Sequence, residues 1–331
     1  MDPLQEFCRR LHQQATPRRA HARPRMWEER DVLDGEVVEA FVLILRTRGC
    51  FWARHSGCSM CGYFRDSHPD MGEAGLRGQL EEALDRYRGQ PMVKIFTSGS
   101  FLDPREVPAD LQQVILDSFF EKARQVSIET RPEFVPRLGE MGVPAARTLE
   151  VAMGLESAND RVLEHSIGKG FTYRRWREGA EGVVDAGHPL KVYVLVKPPF
   201  LTEAEAIQDA LLSAEKVGDI AHTVSFNPVA IHGYTLVDYL WHRGLYRPPW
   251  LWSVVEVLRR APQVFPGSVK CDVVAGGQRR GAHNCGSCDA LFLDAIAAAT
   301  LQGKTGVWVS LHCGCREEWL DALEMEGFLQ G

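Results

Sequence analysis

No stretch of the 331-residue chain reaches about 18 consecutive apolar residues, so no membrane-spanning helix is expected. The N-terminus lacks the apolar core of a signal peptide. Up to Arg25 it is polar and basic, with Arg9, Arg10, Arg18, Arg19, Arg23 and Arg25 set against Asp2 and Glu6. A cytoplasmic protein is the expectation, and nine cysteines then read as metal ligands rather than disulfides. A positive balance is also missing: the formal net charge is −6, so overall charge lends no support to nucleic-acid binding and only local patches do. The N-terminal arginines form one such patch. Arg243, Arg247, Arg259 and Arg260, interleaved with Trp241, Trp250 and Trp252, form another, which reads equally well as a solvated helix face over core aromatics. There is no internal repeat and no low-complexity tract.

What is present is an ordinary globular composition, 45% hydrophobic, in a chain long enough for a large domain and a smaller one. Apolar runs at Phe41–Leu45, Met92–Phe96, Gln125–Ile128, Leu149–Met153, Val192–Val196 and Thr223–Phe226 read as strands. Helix-like stretches lie between them at about 72–90, 106–123, 134–141, 158–166, 172–187 and 203–217. Alternating β and α units imply a parallel sheet with helices outside. Six units are too few for a closed eight-unit barrel, so the expectation is α/β with a partial (βα)6 barrel and its chemistry at the C-terminal strand ends. The expected divisions are a basic extension over 1–39, the partial barrel over 40–235 and a small metal-binding C-terminal domain over 236–331.

Cys50, Cys58 and Cys61 crowd the loop after the first strand candidate. Three thiolates can hold three irons of a [4Fe–4S] cluster and leave the fourth open. Zinc is the competing ligand, with His55 as a fourth donor, but the seven-residue gap between Cys50 and Cys58 is too wide for the usual zinc knuckle. The other strand ends are polar or small. The second ends in Ser98-Gly99-Ser100, where backbone N–H groups can approach a ligand closely. Glu129 and Arg131 at the third could grip an amino-acid moiety or pair with each other. Glu156 at the fourth could bind ribose hydroxyls or cap a helix, and Lys197 at the fifth could meet an anionic group. Asn227 ends the sixth, followed by His232.

Together, Cys50-x7-Cys58-x2-Cys61, Ser98-Gly99-Ser100-Phe101, Glu129-Thr130-Arg131-Pro132-Glu133 and Gly154-Leu155-Glu156-Ser157 resemble the radical S-adenosylmethionine (SAM) enzymes with an Elongator-type core. More narrowly, Gly49-Cys50-Phe-Trp-Ala-Arg, Gly57-Cys58-Ser-Met-Cys61-Gly-Tyr63 and the tail His283-Asn284-Cys285-Gly-Ser-Cys288-Asp289 with Cys313-Gly-Cys315 are similar to the archaeosine-forming radical SAM lyases. The first cysteine gap is wider than the commonest Cys-x3-Cys-x2-Cys spacing. The resemblance implies a [4Fe–4S] cluster on Cys50, Cys58 and Cys61, with SAM as cofactor and source of a 5′-deoxyadenosyl radical. It places Met60 and Tyr63 against adenine, Ser98, Gly99 and Ser100 at the methionine amino group, and Glu129, Arg131 and Glu156 as further SAM contacts. Asn227 is a further cofactor-side candidate; Lys197 and His232 are the candidates for catalytic groups on the substrate side. The implied substrate is tRNA bearing a lysine-modified 7-deazaguanine at position 15. Its C–N bond is cleaved to leave archaeosine. A lysine-transferring enzyme and an electron donor are the implied partners.

Cys285-x2-Cys288 and Cys313-x-Cys315 supply four more thiolates, enough for a closed tetrahedral zinc site, with a second iron–sulfur cluster as the alternative. Cys271, His283 and His312 are reserve ligands. A helix over Asp289–Thr300 and a strand over Gly306–Leu311 are expected between the two pairs. Two other functions compete: a radical SAM enzyme on another substrate, such as a methylthiotransferase or small-molecule lyase, and a non-enzymatic zinc-stabilised RNA-binding protein.

Overall fold

The computed structural model describes residues 3–15, 23–303 and 306–329. Arg18 and Arg19 of the N-terminal basic patch lie outside the described residues. In chain order the elements are α1 (Pro3–Gln13), β1 (Arg25–Leu33), β2 (Glu36–Ile44), α2 (Phe51–His55), α3 (Glu73–Arg86), β3 (Met92–Phe96), α4 (Ala109–Phe120), β4 (Gln125–Thr130), β5 (Thr148–Glu156), α5 (Asp160–Val162), α6 (Tyr173–Asp185), β6 (Leu190–Val196), α7 (Glu203–Lys216), β7 (Thr223–Pro228), α8 (Leu236–Trp241), α9 (Leu251–Arg260), β8 (Ser268–Cys271), α10 (Asp289–Gln302) and α11 (Arg316–Leu329).

The eight strands lie in one sheet in sequence order. Only the β1–β2 pair is antiparallel; every later neighbour is parallel. Each of the six expected strands is present. The two edge strands were not expected: β1 comes from the basic N-terminal segment and β8 from the C-terminal one. β1 joins β2 through Asp34-Gly35, both at positive φ (52° and 80°), the mirror-image turn that matches strand twist. The stretch 306–311 is not a strand but a 3-10 helix, Gly306–Ser310. Its Val307, Trp308 and Leu311 pack on the core.

Alternation along the strands divides the sheet into two faces. Val126, Ile128, Val151, Met153, Val192, Val194 and Phe226 are buried in the core that also takes in residues of α3, α4, α6, α7 and α9. The other face is polar. Lys94, Ser127 and Glu150 sit at one level of β3, β4 and β5, and Tyr193, Ser225 and Lys270 at one level of β6, β7 and β8. Ser127 donates to Glu150 at 2.6 Å.

This polar interior also draws the sheet into a curve. Lys270 of β8 meets Asp31 of β1, the opposite edge, at 2.5 Å. Lys94 of β3 contacts the same carboxylate and reaches Glu29 at 2.6 Å. Strands at the two ends of the order can touch only if the sheet wraps round, which makes the α/β architecture a partial barrel. Burial alone would raise the Asp31 carboxyl, but the two ammonium groups overcome it and hold it below the usual carboxylate range. The resulting stabilisation is complete above the unfolded value of about 4 and is lost as the pH falls below it. Asp31→Ala strands Lys270 without its partner and should cost about 3–5 kcal/mol in urea unfolding at pH 7, with much of the difference from wild type gone in strong acid.

Candidate active site

Cys50 stands at the N-terminal boundary of α2, just past the end of β2. Leu45 still donates to Phe96 O at 2.9 Å, so the loop departs from a paired strand end. Cys58 and Cys61 follow α2, and the amide of Ser59 between them is held by Ile167 O at 2.8 Å. Burial pushes the Cys58 thiol up to about 11 and the Cys61 thiol up to about 12, and it raises Cys50 as well. Without metal these are neutral thiols, so ligation must displace their protons. Among the described residues, the one group of three or more such ligands gathered tightly enough for a single ion lies elsewhere, in the C-terminal segment. His55 is exposed and joins no such group. Three thiolates can in principle serve an iron–sulfur cluster with one open iron.

The strand ends close around Cys50. A Cβ on Gly99 would stand 2.7 Å from the Cys50 Cβ, 2.8 Å from its Cα and 2.2 Å from Glu106 Oε1, so only glycine fits. Glu106 accepts from the Thr47 hydroxyl at 2.8 Å and from the Ser100 amide at 2.9 Å, tying the β2 and β3 loops together. Burial raises its carboxyl to about 7. The Ser100 hydroxyl in turn accepts from the Arg131 amide at 3.0 Å. Arg131 does not pair with Glu129. Its buried guanidinium binds Glu133 at 2.7 Å and donates to Lys169 O at 3.2 Å. The rings of Phe51, Trp52 and Phe171 lie 5.1–5.6 Å from it. It braces the cysteine loop through α2.

Glu129 points from the end of β4 into the barrel, hydrogen-bonded to Tyr193, and burial pushes its carboxyl up to about 7. Glu156 sits at φ 72° beside an irregularity in the β5–β6 register. This left-handed backbone at a strand end is a form of local strain common at functional sites. Its carboxylate meets the Lys169 ammonium at 2.5 Å. Lys169 was not a sequence candidate, although flanking Gly168 and Gly170, both at positive φ, mark an unusual turn there. Glu106 and Thr47 were missed as well, because nothing local in the sequence marks them.

Tyr63 and His232 meet with ring centroids 5.2 Å apart, and a Cβ on Gly62 would stand 2.3 Å from the His232 Cβ, so His232 lies against the cysteine loop. Ser98 donates to Tyr63 O at 3.3 Å. Met60 packs with Cys58 and Cys61 in a small apolar cluster. Asn227 accepts from Ser225 at 3.4 Å inside the barrel. Lys197 differs from the expectation. Its buried ammonium pairs with Glu203 at 2.6 Å and with Glu326 at 3.3 Å instead of standing free at the strand end.

The four C-terminal sulfurs do form one compact group. Cys285–Cys288, Cys285–Cys313 and Cys288–Cys315 are 3.8, 3.7 and 3.7 Å apart. Sulfurs at tetrahedral vertices about 2.3 Å from a single ion are about 3.8 Å apart, so the spacing fits one ion. The Trp252 indole and the Asn284 amide donate to Cys315 and Cys288 at 3.4 Å each, as outer partners of thiolate ligands do. Cys271, His283 and His312 are not in the group. No disulfide joins any of the nine cysteines.

Gly99→Ala tests the geometry of the cysteine loop. The variant should fold and keep any C-terminal metal, yet lose most of the iron bound after anaerobic reconstitution. Parallel iron and zinc analysis checks this.

No protein-family model matches the chain. Curated relatives do. It is 36% identical over 315 residues to the archaeosine synthase subunit beta of Methanosarcina acetivorans, covering 92% of this chain and 91% of that one. It is 35% identical over 308 residues to the subunit of the same name from Thermococcus kodakarensis, covering 88% and 94%. Among solved structures it resembles a queuine lyase from Clostridium spiroforme bound to SAM and queuine, with TM-score 0.47, 18% identity, and coverage of 66% and 91%. It also resembles the Elp3 of Methanocaldococcus infernus, with TM-score 0.49, 16% identity, and coverage of 69% and 59%. The sequence relatives match nearly from end to end in both directions, and the chain belongs to the archaeosine synthase beta-subunit family.

Proposed function

We propose that the chain is a lyase acting on tRNA that carries a lysine-modified 7-deazaguanine at position 15, cleaving the lysine C–N bond so that the formamidine stays on the base as archaeosine. The observation that carries this reading is the meeting of Cys50, Gly99, Ser100 and Arg131 at adjoining strand ends, in a chain whose relatives are named archaeosine synthase subunits. Cys50, Cys58 and Cys61 would hold a [4Fe–4S] cluster which, with SAM, supplies a 5′-deoxyadenosyl radical.

The protein's own residues position and exclude. Gly99 lets the β3 loop lie directly on Cys50. Glu129 offers the SAM ammonium a carboxylate from the barrel interior. Glu156 and Lys169 sit beside it, one as a ribose acceptor and the other as an anion partner. Tyr63 and His232 stand at the edge of the cysteine loop, where the substrate base would enter. Burial lowers the His232 imidazole, so it is neutral near pH 7 and suited to hydrogen bonding rather than to holding charge. The C-terminal thiolates hold a structural zinc in this reading. A lysine-transferring enzyme supplies the substrate, and an external donor supplies the electron.

Anaerobic incubation with SAM and lysine-modified tRNA should yield 5′-deoxyadenosine and archaeosine. SAM cleavage indifferent to the modified base would move the function to another substrate. Replacing Cys50, Cys58 and Cys61 together by Ala should remove the iron and leave about one zinc per chain.

Glu129→Gln should weaken SAM binding roughly tenfold or more, since a hydrogen bond to a charged group contributes about 1.5–3 kcal/mol. A carboxylate that binds an ammonium must be ionised, and burial places this one near 7. Wild-type affinity for SAM should therefore rise as the pH is raised through 7, and the Gln variant should show no such rise. Calorimetric titration at several pH values distinguishes the two.

A further inference from the structure

The sequence offered two basic patches for a polyanion, and in the C-terminal one Arg243 lies on the Tyr239 ring, 3.5 Å from its centroid, while the others are largely engaged. Arg259 and Arg260 pair with Glu256. Arg247 stacks on Trp250 and donates to the carbonyls of Pro248 and His283. Trp250 and Trp252 are buried core residues. That segment is a helix face over core aromatics.

Another basic surface lies directly beside the cysteine loop. A cavity of about 330 Å³ opens between α1 and that loop, and its wall includes Arg9, His12, Arg48, Cys50, Arg54 and Arg65, with no acidic residue among the described ones. Among the described residues Arg48, Arg54 and Arg65 make no ion pair with a carboxylate. Arg48 Nε donates to Met71 O, and Arg54 Nη2 to the carbonyl of Arg48. Arg65 Nε is buried with no hydrogen-bond partner. Arg9 is balanced by Glu6. His12 adds no charge near pH 7, because burial pushes its imidazole down to about 4. An adjoining cavity shares Gly49 and Arg54, but its Arg105 is paired with Asp103 at 2.8 Å and adds no free charge.

We propose that this cavity holds a backbone phosphate of the RNA substrate. Guanidinium groups suit phosphate because their planar forks bind its oxygens two at a time. Three arginines without a carboxylate partner on the wall of a concavity this size fit a small dianion or phosphodiester group better than the broad face of a folded partner. Its position has a functional consequence. Cys50 is part of the wall, and Arg65 also lies over the Tyr234 ring, 4.9 Å from the centroid, two residues from His232. A phosphate held here fixes the chain beside the rim where the modified base must enter. Phosphate contacts set register and orientation without reading sequence. The inference rests on the RNA-substrate reading above.

The test uses the full chain and a fluorescently labelled tRNA transcript, with anisotropy measured across a salt series. Arg54→Gln and Arg65→Gln should each weaken binding roughly tenfold and make the plot of log affinity against log salt shallower by about 1. Arg54→Lys should keep the salt slope while recovering only part of the affinity. Arg259→Gln, whose side chain is already paired, should bind like wild type. Thermal melting and metal content identify any variant that has failed to fold, and the Lys variant then decides. Wild type that binds tRNA together with Gln variants that bind equally well overturns this proposal and leaves the RNA reading intact. Wild type that does not bind tRNA at low salt overturns both. Variants that bind tRNA normally but accept electrons more slowly from an acidic flavodoxin, and not from dithionite, would assign the surface to the electron donor instead.

Discussion

The Asp31 carboxylate, held between Lys94 and Lys270, sets the geometry on which the site depends. It joins β1 to β8 across the inside of the sheet, although these strands stand at opposite ends of the order. A flat parallel sheet would spread the ends of β2 to β7 along a line. Wrapping the sheet brings those ends round one opening, so that Tyr63, after β2, can meet His232, after β7. The charges do not make the barrel by themselves, since the apolar outer face packed under the helices contributes most of the stability. Their role is to fix the curvature, because a buried ammonium tolerates no drift away from its carboxylate.

Much of this was legible in the sequence because the parallel strands carry a strong pattern. Val126 and Ile128, or Val192 and Val194, alternate with residues that face a polar interior, and each strand is followed by an amphipathic helix. The Thr202 and Glu205 pair, which forms a reciprocal cap at the start of α7, is the kind of local signal that fixes a boundary. The edge strands were less legible. β1 is rich in charged residues, as an exposed edge tends to be, and it lies in a segment that reads as a basic tail. The Asp34-Gly35 turn was the available signal. The 3-10 helix at Gly306–Ser310 has the β-branched composition of a strand, and only the absence of a pairing partner decides against one.

The site residues divide in the same way. Cysteine spacing and small strand-end residues are written locally and could be found. Lys169 and Glu106 act through contacts made across the fold, to Glu156 and to Thr47 with Ser100, and sequence proximity does not reveal such pairs. Lys197 is the opposite case. Its position at a strand end pointed to a ligand, but the acid six residues later captures it. Glu203 also accepts from Ser253, which in turn accepts from the Trp319 indole of α11 at 2.8 Å. That chain of contacts secures the C-terminal helix to the barrel, next to the indole–thiolate contact of Trp252 with Cys315.

α1 has a practical bearing on how the protein is handled. Its His12 ring lies on Phe64, with centroids 4.1 Å apart, and a Cβ on Gly57 would overlap it at 2.0 Å. Phe7 packs edge-on against Tyr239 of α8. Helix α1 thus forms one wall over the cysteine loop. Trimming α1 to improve expression, or fusing a bulky tag directly to it, would strip or lever away that cover and leave the three thiols open to solvent and air.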